Sequence, residues 1–412
     1  MAIIRPFVCV RPNQNVAAKV AALPYDVYNR KEAYEEVQKE PLSFLSIDRP
    51  ETAFDETVDA YDDCVYEYAS ERLHSMIREG IFETEGKPCY YVYELTMDGR
   101  LQTGIVACAS IDDYENNIIK KHENTREEKE LDRIRHVDTC SAQTGPIFLA
   151  YRKVGIISAV INESKKNPPL YSFTSPDEVK HQVWVIEEEE KLQIIGEAFE
   201  KVNEIYIADG HHRAASAVKV GQKRRNENPW YTGTEEFNYF LSVLFPDNEL
   251  KILSYNRGVK DLNGLSVEEF LAAVKEKFVV APMGRTQVTP QKKGSFGMYL
   301  DGNWYLLEAQ EELLQENDPV KSLDVSILQD HLLEPILGIH DPRVDKRIDF
   351  IGGIRGLNEL ESRVDRDMKV AFSMYPTSID ELFSVSDAGK LMPPKSTWFE
   401  PKLRSGLFIH KI

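Results

Sequence analysis

The sequence predicts a mixed α/β fold, and two observations carry the prediction. Short apolar runs with strand-like alternation are interleaved with stretches whose apolar residues recur at helical spacing. The composition, 42% hydrophobic and 29% charged over 412 residues, is that of an ordinary globular chain, long enough for a sizeable core in two domains or in one with a large insertion.

Taken in order, residues 1 to about 50 read as short apolar strands around the loop Leu23-Pro24-Tyr25-Asp26-Val27-Tyr28. From about 56 to 80, Val58, Tyr61, Val65, Tyr68 and Leu73 follow a helical period. Residues 89–97 and 101–111 alternate as strands about Asp98-Gly99, a hairpin turn. The charged segment 122–137 reads as a polar helix or lid. Strands follow at 147–151 and 182–186, a helix at 190–202, a strand at 204–208, a helix at 214–220 and a strand at 240–245. Beyond about 262 the pattern resets with a helix at 266–278, where Ser266 and Glu269 form a capping box. A hairpin around Gly302-Asn303 and a helix at 325–337 complete the reading. The expected division is an N-terminal domain over 1–260 and a C-terminal α/β lobe over 261–412 that closes part of the site. No internal repeat is present, which excludes a solenoid.

A formal charge of −18 and the run Glu187-Glu188-Glu189-Glu190 disfavour extended nucleic-acid binding, which requires clustered Lys and Arg. Five cysteines without CxxC spacing argue against a disulfide framework or zinc ribbon and for a reducing compartment. Arg5 and Pro6 interrupt the N-terminal apolar stretch, so no signal-peptide pattern is formed. No run of about eighteen apolar residues is available for a membrane span. The expectation is a soluble, cytoplasmic protein with no membrane partner.

The segment with the strongest chemistry is Asp209-Gly210-His211-His212-Arg213, between the apolar run 204–208 and the Ala-rich start of a helix. A helix start presents unpaired N–H groups and the positive end of a dipole, which together hold an anion. Gly210 permits the turn and a close approach of backbone to ligand. His211, His212 and Arg213 add donors, and the Arg213 guanidinium can grip two phosphate oxygens. Asp209 would repel a phosphate unless it binds Mg²⁺ or takes a proton, so it is a candidate metal ligand or general base. The competing structural reading is that Asp209 N-caps the helix and the next three residues are simply exposed.

Four other places carry candidates. Lys395, Ser396 and Thr397 follow the stiff Pro393-Pro394, in a segment that also holds Lys402 and Arg404; they suit phosphate or form a rigid polar loop. His122, Glu123 and Thr125, near Arg126 and Arg133, combine a possible base with positive charge or form a solvated helix; Glu123 is the second candidate base. Tyr25 and Asp26 suit a substrate amine or a metal, or simply a turn. The glycines of the segment 350–356 imitate a phosphate loop without matching GxGxxG or a Walker sequence and read better as turn formers.

The Asp-Gly-His-His-Arg loop before an Ala-rich helix resembles the nucleotide-binding loop of the ParB/sulfiredoxin-like superfamily, and within it the free-serine-kinase branch. The whole chain is identified as a member of the domain of unknown function 1015 family. The matching stretches are Pro24-Tyr25-Asp26-Val27, His122-Glu123-Asn124-Thr125, Asp209 to Arg213, Ser254-Tyr255-Asn256-Arg257, Leu323-Asp324-Val325, and Met392-Pro393-Pro394-Lys395-Ser396-Thr397-Trp398-Phe399. The resemblance implies a ParB/sulfiredoxin-like core with additional strands, and nucleotide or phosphate binding with phosphoryl transfer as the natural chemistry. It also brings in Arg257 as a phosphate clamp and serine or phosphoserine as a ligand.

The expectation is therefore a kinase-like phosphotransferase between a nucleotide such as ATP or ADP and a small hydroxyl metabolite, with Mg²⁺ as cofactor. Gly210, His211, His212, Arg213, Arg257, Lys395, Ser396 and Thr397 would hold phosphates, and Tyr25, Asp26, His122 and Thr125 the substrate. Asp209, Glu123 and His211 are the candidate catalytic residues. The alternatives are a phosphatase acting on a phospho-metabolite such as phosphoserine, with His211 or His212 as nucleophile or acid, and a non-catalytic nucleotide sensor.

Overall fold

The computed structural model describes residues 1–412 as a mixed α/β protein with 14 α-helices and several sheets. The chain divides into two compact units, Met1–Leu250 together with Pro401–Ile412, and Lys251–Glu400. This differs from a simple cut at 260 in two ways. The strand Tyr255–Val259 is built into the second unit's sheet, between Ile348–Gly352 and Val370–Met374. The last strand, Ile409–Lys411, returns to the first unit and pairs with Cys9–Pro12 and Ala142–Gln143. Pairings this remote in sequence leave no mark on local composition, which is why the return is invisible in the sequence.

The first unit is organised on a nine-stranded sheet. Its main path runs Ile119–Lys120, Ile205–Asp209, Ile147–Tyr151, Tyr239–Pro246, Arg100–Ser110, Tyr90–Met97, Lys180–Ile186 and Tyr171–Thr174. The interior strands read as near-continuous apolar runs because both faces are covered; all five residues of Ile147–Tyr151 are buried. The Arg100–Ser110 and Tyr90–Met97 pair is closed by Asp98 and Gly99, both at positive φ (52° and 76°), the backbone a two-residue hairpin of matching twist requires. A smaller four-stranded sheet joins Phe82–Thr84, Cys9–Pro12, Ile409–Lys411 and Ala142–Gln143.

Two helices frame the candidate site. Glu127–Cys140 packs on His211–Glu227, in which the turn Ala214, Ala215, Ser216 and Ala217 is buried all round. Small side chains there let the backbones approach, and the Ser216 hydroxyl lies 3.1 Å from the Glu130 carbonyl oxygen. The segment 122–126 is irregular, and the helix begins at Glu127. The helix expected from about 56 begins at Asp63, so Val58 and Tyr61 lie outside it.

The second unit holds a six-stranded sheet ordered Phe278–Gly284, Asn303–Ala309, Ser295–Leu300, Val370–Met374, Tyr255–Val259 and Ile348–Gly352. The Ser266–Glu269 capping box is formed. The helix expected over 325–337 is α-helical only through Asp324–Leu328 and then widens to a π turn over Gln329–Leu333. All five cysteines are free thiols, and no helix is long and apolar enough to cross a membrane.

Candidate functional site

The strand Ile205–Asp209 ends one residue before the helix His211–Glu227, and the reversal is made by Gly210 alone, at φ 95° and ψ 32°. That backbone is left-handed, which excludes nearly every side chain. Gly210, not Asp209, occupies the N-cap position, and no side chain caps the helix start. The first turn carries no acidic residue. Capping by Asp209, the competing reading, is therefore not what the chain does. The first-turn N–H groups and the positive end of the dipole remain available to an anion.

Asp209 instead turns sideways. One of its oxygens accepts the Gly210 N–H at 2.9 Å and the other meets Lys402 Nζ at 2.9 Å. Burial alone would raise its pKa, but Lys402 and Arg213 outweigh burial and hold the carboxyl well below the usual carboxylate range. A carboxylate so stabilised is a weak proton acceptor, which counts against Asp209 as a general base. It also fits Mg²⁺ poorly: both oxygens are engaged, one of them by a cation, and no group of three or more His, Cys, Asp or Glu that could hold a metal is present. Hard divalent ions need several oxygen ligands.

Arg213 folds back over the turn. A methyl group on Gly210 would lie 3.2 Å from the Arg213 guanidinium, so the absence of a side chain at Gly210 also makes room for the cation. Arg213 Nη1 donates to the Pro146 carbonyl at 2.7 Å, and a Cβ on Gly145 would lie 3.4 Å from the same nitrogen. The Gly145-Pro146 turn thus cradles Arg213.

The two histidines point elsewhere than the sequence led us to expect. His211 is buried, and its Nε2 accepts the His122 backbone N–H at 3.5 Å. A backbone N–H only donates, so that nitrogen is unprotonated and the ring is the neutral Nδ1–H tautomer. The His122 and His211 rings meet edge to face at 4.5 Å. Burial drives both pKa values down, that of His122 to about 4 and that of His211 well below the ordinary value. Half-buried His212 accepts the Arg126 N–H on Nδ1 at 3.4 Å, and burial lowers its pKa too. The pair therefore ties the segment 122–126 onto the helix start as neutral acceptors and does not present a pair of cations to solvent.

Beneath the turn, the Arg133 guanidinium stacks on the Tyr25 ring at 4.1 Å and pairs with Asp132 at 2.9 Å. Tyr25, Asp48, Arg133, His136, Thr144 and Arg213 line part of a cavity of about 30 Å³, room for about one water molecule. Asp26 and Glu123 are exposed. The Thr125 hydroxyl donates to Glu130 at 2.7 Å, and Glu130 also pairs with Lys219.

The remaining predicted residues belong to the second unit. Arg257 is buried and donates to the carbonyls of Tyr255 and, at 3.1 Å, Lys395; burial pushes its pKa down to about 10. Lys395 is exposed at positive φ (59°), with Nζ 5.6 Å from the Tyr255 ring centroid. The Ser396 hydroxyl is spent on the Pro393 carbonyl at 2.6 Å, which closes that turn, and Thr397 is half-buried. Sequence reasoning did not single out Lys402, Gly145 or Pro146 as site residues. Lys402 was visible only as one basic residue among several, and nothing local marked the other two.

The chain belongs to the family described as a protein of unknown function (DUF1015), whose profile matches residues 4–326. No curated protein matches. Among solved structures, a free serine kinase in complex with AMP is similar at 14% identity and a TM-score of 0.36, over 73% of this chain and 91% of that one. A mutant of a free serine kinase in complex with ADP gives 13% and 0.36, over 74% and 93%. SbnI with a C-terminal truncation, from Staphylococcus aureus, gives 12% and 0.39, over 73% and 87%. At these scores the likeness carries no argument about what the turn binds.

Proposed function

We propose that the turn from Asp209 to Arg213 binds the phosphate of a nucleotide or small phosphorylated metabolite, and that the protein is a phosphotransferase acting between a nucleotide and a small hydroxyl metabolite such as serine. The observation that carries the reading is the uncapped helix start. Gly210 supplies a left-handed cap without a side chain, the first turn is free of acids, and Arg213 and Lys402 flank the turn. In this reading the loop is of the ParB/sulfiredoxin-like type. The first-turn N–H groups and Arg213 hold phosphate oxygens, and Lys402 supplies a cation that can follow charge developing on the phosphoryl group. Asp209 orients Lys402 and the Gly210 peptide. Exposed Glu123 is then the remaining candidate for accepting the substrate's hydroxyl proton, with Tyr25, Asp26, His122 and Thr125 around the acceptor. Arg257, Lys395 and Thr397 are proposed as anion-binding residues of the second unit, with the Ser396 hydroxyl closing the turn that carries them.

His211 is poorly placed as the nucleophile of a phosphatase, because it is buried with Nε2 engaged; half-buried His212, with Nδ1 engaged by the Arg126 N–H, is the alternative there. The test is thermal unfolding of wild type and Arg213→Ala with AMP, ADP, ATP, serine and phosphoserine, each with and without Mg²⁺. A ligand at a hundred times its Kd adds about 2.7 kcal/mol, a rise of about a few degrees in a chain of this length. A shift with a phosphorylated ligand that disappears in Arg213→Ala is the expected result. The absence of any shift in wild type would overturn the reading.

A further inference from the structure

The segment that brings Lys402 to Asp209 is anchored by a second, buried cation. Arg404 is 4% exposed. Its guanidinium pairs with Asp177, donates to Ser175 Oγ at 3.0 Å and donates from Nε to His181 Nε2 at 3.4 Å. Because Arg can only donate, His181 Nε2 is an acceptor and its proton sits on Nδ1, 2.8 Å from the Tyr93 hydroxyl. The His181 ring is stacked on both Phe173 and Tyr93. Burial, then the Arg404 charge, push its pKa down to about 3, so it stays neutral beside the guanidinium.

The backbone that follows Arg404 is equally constrained. Ser405 and Ala22 exchange hydrogen bonds at 2.9 and 3.2 Å. Gly406 takes a positive φ of 85° where a Cβ would strike Phe44 at 2.5 Å. Arg404 meets Asp177, Ser175 and His181, two residues along the chain from the lysine that meets Asp209.

We propose that Arg404 is a positioning residue for Lys402: the Arg404–Asp177–His181 cluster fixes the returning segment so that the Lys402 ammonium lies against Asp209 at the uncapped helix start. The functional consequence rests on the phosphate-site reading above, whereas the placement of Lys402 does not. A buried guanidinium is costly unless its partners are in place, so the segment has one seated arrangement. A side chain of two methylenes fewer reach or no charge at 404 would release it.

The test uses the full chain and two readouts. Amine-selective acylation followed by peptide mass spectrometry measures how firmly Lys402 is held, and titration with AMP measures binding. Arg404→Met should raise the Lys402 labelling rate about tenfold, the scale of one charge-assisted hydrogen bond, while exposed Lys19 labels at its wild-type rate. Arg404→Lys, which keeps a cation for Asp177, should recover part of the protection. AMP affinity in Arg404→Met should fall to that of Lys402→Met, and the double variant should be no weaker than Lys402→Met alone, the signature of residues acting through one another. Should Arg404→Met not fold, Asp177→Asn removes the charged partner from a half-exposed position and carries the same expectations. Wild-type labelling of Lys402 in a folded variant, or losses that add in the double variant, would overturn the proposal. If AMP fails to bind wild type, the phosphate-site reading falls and the labelling series still decides the role of Arg404.

Discussion

Two helices of the chain start at a positive-φ glycine, one directly after a strand and one after a strand and a short 3-10 turn, and the two starts differ in what surrounds them. In the first unit Gly210 (φ 95°) caps His211–Glu227; in the second, Gly356 (φ 74°) caps Leu357–Arg366. Both glycines supply the backbone that a side chain would resist, and neither helix start has a side-chain cap. Around Gly210 a Cβ would meet the Arg213 guanidinium, whereas around Gly356 it would meet nothing. The first turn of the first helix holds no acid, while that of the second holds Glu359, which already complements the dipole. The glycines immediately before the second turn are occupied by packing: Gly352 lies under Trp398 and Gly353 under Ser254. A glycine turn before a helix is thus a geometry, and it becomes a candidate anion site only where the cations that converge on it, here Arg213 and Lys402, outnumber the acids, here Asp209.

That contrast can be broken or sharpened in four ways. The largest expected effect is on stability in acid, because the first turn is packed on buried neutral imidazoles. His122 titrates at about 4 in the folded chain, against about 6.5 when unfolded. As pH falls below about 6.5 the unfolded state takes the proton first, so stability is lost progressively down to about pH 4, by up to about 3 kcal/mol from this group. Urea midpoints of wild type and His122→Asn between pH 7 and 4.5 should diverge accordingly, with the shallower slope in the variant. Parallel slopes would show that the turn does not rest on a neutral His122.

Next in size is alanine at the two capping glycines. Gly356→Ala should cost about 1 kcal/mol of backbone strain and leave AMP binding unchanged. Gly210→Ala is strained in a different, left-handed helical backbone and also displaces Arg213, so AMP affinity should fall about a hundredfold, the loss of roughly one bidentate charged contact. Equal effects on binding would erase the distinction. Lys402→Met should weaken AMP by about tenfold, read by the same titration. The smallest effect belongs to Glu359→Gln, which removes a first-turn acid at the cost of a few tenths of a kcal/mol; the second turn should still not bind AMP, since no side chain from elsewhere in the chain packs against Gly356 as Arg213 does against Gly210.

Much of the local structure was legible because it depends on neighbours in the chain. The Asp98-Gly99 hairpin, the Ser266–Glu269 capping box and the strand–turn–helix from Ile205 to Glu227 follow from residue types at fixed short spacing. The errors have physical causes too. The helical period through Val58 and Tyr61 continued an apolar pattern beyond the helix start at Asp63. Composition beyond 262 hid the return of Pro401–Ile412 to the first unit. The charge state of His211 and His212 was also out of reach: burial keeps both rings neutral, and one nitrogen of each accepts a backbone N–H, from His122 and Arg126.

What the sequence determined by itself is the kind of fold, the family and the turn at Gly210, since each is written in short-range residue order. What only the tertiary structure decided is the charge at that turn. Asp209 and Lys402 stand 193 positions apart, and Arg213 is cradled by Pro146, 67 positions away. Whether an acid beside a helix start repels an anion, binds a metal or holds a lysine depends on which cation the fold delivers to it, and Coulomb energies are set by distance in space.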